Sequence, residues 1–195
     1  MKYIVLLKIK LLKNKVIYMK EKEKLLRKIL FKELEMVIID EEKITNLDFD
    51  CRDEELNDFI YKDALNHLYE NLAVTYLCLL DDIVVGFVSI SNASIKINKE
   101  HKKKMKFQYP EFPSARIGRV AIDKKYNGKG IGSCIIKWVF GKCEDIGEDI
   151  GIRFVSVDAY DESIMFYEKN GFHLFKSNKR NKPMYFDLNE IEMIK

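Results

Sequence analysis

The sequence predicts an α/β protein: one domain over residues 36–195 built on a mixed β-sheet flanked by helices, with a basic extension over residues 1–35 in front of it. Two patterns carry that class. Between residues 115 and 159 two apolar runs of strand length bracket a helical pattern, an order that makes the two strands parallel because the chain must cross back between them. Ahead of them, Ala73 to Leu80 and Ile83 to Ile90 are apolar runs that meet at Asp81-Asp82, which reads as an antiparallel hairpin. With 195 residues, 47% hydrophobic and 33% charged, the chain holds enough apolar surface for one substantial core.

Residues 1–35 hold eleven Lys or Arg against four Glu, a balance of +7, which leaves −4 for the rest of a chain whose net charge is +3. Tyr3 to Leu12 is apolar but cut by Lys8 and Lys10, too short to span a bilayer and without a small-residue cleavage site. Leu25, Leu26, Ile29, Leu30 and Leu34 fall on one face of a basic amphipathic helix. Such a helix docks on its own domain, pairs with a second subunit, or meets RNA or a membrane surface.

Met36 to Ile39 is a short strand of the domain proper. Asp53-Glu54-Glu55 opens an amphipathic helix through Leu56, Phe59, Ile60, Ala64 and His67, because acidic residues suit the positive end of a helix dipole. Gly86, inside the second strand of the hairpin, marks a bulge or a close backbone approach. Asn98 to Pro113 is a polar stretch carrying Lys99, Lys102, Lys103, Lys104 and Lys106, either a solvated loop or an arm that gathers an anionic substrate. Ala115 to Ile122 and Ile152 to Ala159 are the parallel strands, Gly130 to Cys143 the helix between them, and Met184 to Leu188 closes the sheet. Cys51, Cys78, Cys134 and Cys143 make no C-x-x-C pair and no cluster with the three histidines, so free thiols in a reducing cytoplasm, and no metal, are expected.

The chemistry concentrates where the first parallel strand ends. Asn127-Gly128-Lys129-Gly130-Ile131-Gly132-Ser133 puts three alternate glycines ahead of a helical pattern made by Ile131, Ile135, Val139 and Cys143. Open amides at a helix N-terminus, together with its dipole, form a phosphate cradle. The spacing matches neither the Walker loop nor the dinucleotide fingerprint. Further on, Ser163, Phe166 and Tyr167 lie about one turn apart on a short helix stopped by Asn170-Gly171. Taken alone, Tyr167 reads as a core aromatic with a satisfied hydroxyl; the glycine loop is what turns it into a catalytic candidate.

The glycine run resembles the acetyl-CoA pyrophosphate loop of the GNAT superfamily of N-acetyltransferases, with Asn127 standing where a longer polar side chain is usual and Gly130 and Gly132 in the glycine places. Phe166-Tyr167-Glu168-Lys169 before Gly171-Phe172 resembles the later helix of that superfamily, whose tyrosine stands beside the CoA sulfur. From about Phe49 to Leu188 the chain is similar to the GNAT toxins of toxin-antitoxin systems that acetylate aminoacyl-tRNA, through Phe49-Asp50-Cys51, Gly118 to Asp123, Val157-Asp158-Ala159, Phe166 to Lys169 and Met184. The resemblance implies a GNAT-like domain with a centrally splayed sheet. It implies acetyl-CoA as cofactor, held by the backbone of Val120, Ala121 and Ile122, by Asn127, Gly128, Lys129, Gly130, Ile131, Gly132 and Ser133, and by Phe166. Tyr167 is implied as the acid or positioning group. A primary amine, that of an aminoacyl-tRNA among the candidates, is the implied acceptor, with an antitoxin protein as partner and a homodimer as assembly. The basic extension departs from the toxin pattern.

Acetyl transfer from a thioester needs a neutral amine, donors for the developing oxyanion and a proton for the leaving thiolate. Backbone N–H groups near Val120 suit the oxyanion, and a phenol with a pKa of about 10 keeps its proton at neutral pH. Glu70, Asp158 and Asp161 are base candidates by chain position alone, and none is a strong base by its sequence surroundings. Protein N-termini and small amines remain as acceptors, and a non-catalytic module that binds acyl-CoA or a nucleotide is the contrasting class, with Tyr167 merely packed.

Overall fold

A computed structural model describes residues 33–97, 109–175 and 182–193. The amphipathic pattern from Leu25, apart from Leu34, and the lysines from Lys99 to Lys106 lie outside these residues. A seven-stranded sheet in the order β1-β2-β3-β4-β5-β7-β6 organises the rest. Its strands are β1 (Leu34–Ile38), β2 (Val74–Leu80), β3 (Ile83–Ile95), β4 (Phe112–Ile122), β5 (Phe154–Ala159), β6 (His173–Leu174) and β7 (Lys182–Asp187). Every neighbouring pair is antiparallel except β4 and β5, the pair expected to be parallel.

Local chemistry accounts for most boundaries. Asp81 and Asp82 take φ values of 50° and 63°, so the β2–β3 hairpin closes on the two left-handed residues that match strand twist. Asp53 caps α2 (Glu54–Asp58) by accepting the Leu56 N–H at 3.0 Å, and the helical run continues through a π segment (Phe59–Asp63) into α3 (Ala64–Tyr69). The π turn inside a helix read as regular has no signature in the apolar spacing. Asp40 caps a short helix, α1 (Glu41–Thr45), that the sequence reading lacks. Leu34, counted in the helical stripe, instead opens β1 and pairs with Leu80.

The sheet is covered on both faces. On one lies α4 (Ile131–Ile150), which buries Ile131, Cys134, Ile135, Ile136, Val139, Phe140 and Cys143 and stacks Phe140 on Phe186 with ring centroids 4.0 Å apart. It runs past Cys143 because its last turns are amphipathic and solvated, ending at Gly151 with φ of 62°. Against the other face, α2, the π segment and α3 bury Phe59, Ile60 and Ala64 over Leu77, Phe87 and Ala121. A short α5 (Ile164–Lys169) ends at Gly171, whose φ is 88°.

Gly86 fulfils both expectations placed on it. The β2–β3 register skips Val85 beside it, a bulge, and a Cβ at Gly86 would stand 2.9 Å from the Ala121 carbonyl oxygen and 2.9 Å from Ile122 Cδ1. The backbone oxygen cannot yield. Gly86→Ala is expected to destabilise the protein by about 1–3 kcal/mol, as overpacking does. Urea unfolding measures it, and a loss below about 0.5 kcal/mol, the range of neutral surface changes, would contradict this packing.

Candidate active site

Strands β4 and β5 pair only from Ser114 with Phe154 to Ile117 with Val157. Beyond that they part, and a cleft of about 650 Å³ opens between them. The cause lies in β4: Ser89 faces Arg119 and Ile90 faces Ile117, so Gly118 is a bulge residue with no partner on β3. Chain ends Gly118 to Ile122 and Asp158 to Ala159 thereby line the opening, with backbone groups of Val120 to Ile122 released from β5.

At the mouth, Gly130 holds φ of 89° and ψ of 0° and serves as N-cap of α4 without any side-chain cap. The first-turn amides of a 20-residue helix are thus left without a capping side chain on the side where Asn127, Gly128, Gly130, Ile131, Gly132 and Ser133 line the cleft. A Cβ on Gly132 would meet Phe166 Cε2 and Cζ at 3.2 Å, so this glycine is what lets α5 pack against the loop. Of the predicted loop residues only Lys129 is missing from the lining. Its ammonium lies 4.7 Å from the centroid of the Tyr126 ring.

Phe166 and Tyr167 both line the cleft. Tyr167 is 5% exposed, wedged edge-on between Phe166 and Phe172 with centroids at 5.1 and 5.3 Å. Burial raises its phenol well above the ordinary value, so the hydroxyl keeps its proton in any neutral medium. Cys78 and Cys143 are pushed up to about 12 by burial and stay thiols. Among the described residues there is no cluster of three or more His, Cys, Asp or Glu suited to a metal ion. No helix among them is long and apolar enough to cross a membrane.

The base candidates separate. Asp158 lines the cleft but is bound by Arg116 at 2.6 Å, while Glu70 and Asp161 stand outside the lining. The far wall comes from residues to which the sequence reading gave no part in the site: Asp53 and Glu55, read only as a helix start, Arg119, read only within a matching segment, and Arg116, Tyr160 and Glu162. Phe49-Asp50-Cys51 is a latch for this wall. Buried Asp123 accepts the Asp50 N–H at 3.0 Å and the Lys125 N–H at 2.8 Å, Lys124 pairs with the Asp50 side chain, and Asn57 Nδ2 donates to Asp50 Oδ1 at 3.0 Å. The Lys124 ammonium, chief among these donors, holds the Asp50 carboxyl well below the usual carboxylate range. The start of α2 is so tied to the segment leading into the glycine loop.

Comparison with known proteins places this geometry among relatives. Residues 71–174 match the acetyltransferase (GNAT) domain family. A tRNA-acetylating toxin of Mycobacterium tuberculosis is 27% identical over 139 residues, covering 70% of this chain and 82% of the toxin. Among solved structures, AtaT complexed with acetyl-methionyl-tRNAfMet superposes with a TM-score of 0.72 at 22% identity, over 83% of this chain and 98% of AtaT. AtaTR bound with AcCoA gives 0.69 at 22% identity, over 84% and 98%. A tyrosine-to-phenylalanine variant of KacT gives 0.72 at 23% identity, over 84% and 99%.

Proposed function

The chain belongs to the GNAT acetyltransferase family, and on that premise we propose that this acetyl-CoA-dependent N-acetyltransferase modifies the α-amine of an aminoacyl-tRNA. The observation that carries the proposal is the conjunction in one cleft of parted strands, an uncapped glycine loop and a protonated Tyr167. The curated relative, a tRNA-acetylating toxin, supports the choice of acceptor.

Acetyl-CoA supplies the acetyl group as a thioester. In this reading the amides from Gly128 to Ser133 hold its pyrophosphate at the positive end of α4, and Asn127 and Lys129 flank it. The released backbone of Val120, Ala121 and Ile122 aligns the pantetheine arm, and an N–H near Val120 faces the developing oxyanion. Phe166 packs the loop from the other side. Tyr167 gives its proton, or a hydrogen bond, to the departing thiolate sulfur. The cleft offers no unpaired buried carboxylate as a strong base, which favours an amine that is already partly neutral. An α-amine of pKa about 8 is roughly one-tenth neutral at pH 7, against about one part in a few thousand for a lysine amine.

The same reading places the protein in the cytoplasm as a homodimer with an antitoxin partner, and makes the basic segment an extension in front of the acetyltransferase domain, which begins with Leu34 and Glu35 in β1 rather than at residue 36. Light scattering on the full chain reads the assembly.

Labelled acetyl-CoA offered with aminoacyl-tRNAs, peptide N-termini and polyamines tests the acceptor. Label is expected on the aminoacyl group; label confined to peptides or polyamines would overturn the assignment. The pH profile follows from the buried phenol. Because burial raises Tyr167, its donor form persists above its ordinary pKa, and kcat/KM should rise with pH through the amine's ionisation near pH 8. It should then hold level to about pH 10. A fall between pH 9 and 10 in a buffer series would assign Tyr167 an ordinary, solvated phenol.

A further inference from the structure

The wall opposite the glycine loop contains a guanidinium whose surroundings are unlike those of its neighbour. Arg116 and Arg119 stand three residues apart on β4, a spacing that strict alternation would send to opposite faces of the sheet. The Gly118 bulge cancels the offset and turns both toward the α2 side. Arg116 is neutralised by Asp158 across the parted strands at 2.6 Å. Arg119 is held more loosely: among the described residues its ion pair is a long one, to Glu55 Oε1 at 3.9 Å and beyond hydrogen-bond reach, and its enclosed Nε makes no hydrogen bond. Its guanidinium lies 4.3 Å from the centroid of the buried Phe59 ring.

A guanidinium packed over an aromatic ring is held in place by it, and its fork suits two oxygens of a phosphate better than any single acceptor. Arg119 is only partly buried and lines the cleft, so its guanidinium is within reach of an entering acceptor. The lip around it is acidic, with Asp53, Glu55 and Glu162, and draws in an ammonium rather than a phosphate. A cation so loosely paired in an acidic mouth therefore sets register: amine toward the lip, anion onto Arg119 in place of the long Glu55 contact.

We propose that Arg119 is a specificity-determining residue that binds a phosphodiester of the acceptor's 3′ end, the one nearest the aminoacyl ester. This rests on the aminoacyl-tRNA reading and adds to it which side chain tells such an acceptor from a phosphate-free amine.

The test compares two acceptors carrying the same amino acid, an aminoacyl-tRNA and an aminoacyl ester of adenosine that has no phosphate, with the full chain and acetyl-CoA. Arg119→Gln is expected to lower kcat/KM on the tRNA about ten-fold, chiefly through KM, in line with loss of one charge-assisted contact. On the adenosine ester the loss should be several-fold smaller. Binding of the tRNA should also lose salt dependence, its log–log slope becoming shallower by about 0.7 for one phosphate on a single strand. Arg119→Lys keeps the charge and should keep the slope, which guards against a variant that misfolds. Equal losses on both acceptors, or an unchanged slope in Arg119→Gln, would overturn the proposal. Wild-type protein inactive on both acceptors would sink the acceptor reading itself, and the proposal with it.

Discussion

Tyr167→Phe should lower kcat by about a hundred-fold or more and leave acetyl-CoA affinity within about two-fold, the pattern of a lost general acid. The substitution removes one oxygen and nothing else. No side-chain hydrogen bond among the described residues ties that oxygen to the fold, and the ring packs on Phe166 and Phe172, contacts that phenylalanine repeats. A stability change should therefore stay within about 0.5 kcal/mol, as for a substitution that opens no cavity and strands no partner. Single-turnover acetyl transfer separates chemistry from release. A variant that keeps wild-type kcat would make Tyr167 a packing residue, the contrasting reading of this position.

Gly132→Val should weaken acetyl-CoA binding by more than ten-fold. The first methyl-sized atom already meets the Phe166 ring at 3.2 Å, and two further branches would push α5 away from the loop. Both the cradle and the position of Tyr167 would shift together, so affinity and kcat should fall in parallel. The control is Gly141→Ala in the same helix, where a Cβ meets nothing within 4 Å. That change should stabilise the protein by about 0.5–1 kcal/mol through helix propensity and leave binding intact. Titration calorimetry and thermal melts read both variants. Undiminished binding in Gly132→Val would move the cofactor away from the loop.

Local patterns were legible and long-range register was not. Three alternate glycines, an acidic helix start, an Asp-Asp hairpin and a tyrosine ahead of an Asn-Gly stop each act over a few residues, so their spacing carries them. Gly86 was readable because a strand interior tolerates glycine for few reasons. Gly118 is the instructive contrast. It belongs to a stretch that the family resemblance singled out, yet only its offset against Ser89 and Ile90 reveals the bulge that parts β4 from β5 and turns Arg116 and Arg119 to one face. Equally, Phe59 reads as a core position of a helix, and its service as a platform for Arg119 depends on how the π segment crosses the sheet. Asp158 looked available in the sequence because its partner lies 42 residues away.

The proposed acetyl-CoA site joins the parted strands to the glycine loop. Amide hydrogen exchange of the full chain, with and without acetyl-CoA, tests it most directly. Slowed exchange confined to Val120–Ile122 and to Gly128–Ser133, with Tyr167 and its helix following, is the expected result. Protection elsewhere in the sheet, with these two segments exchanging as before, would contradict it.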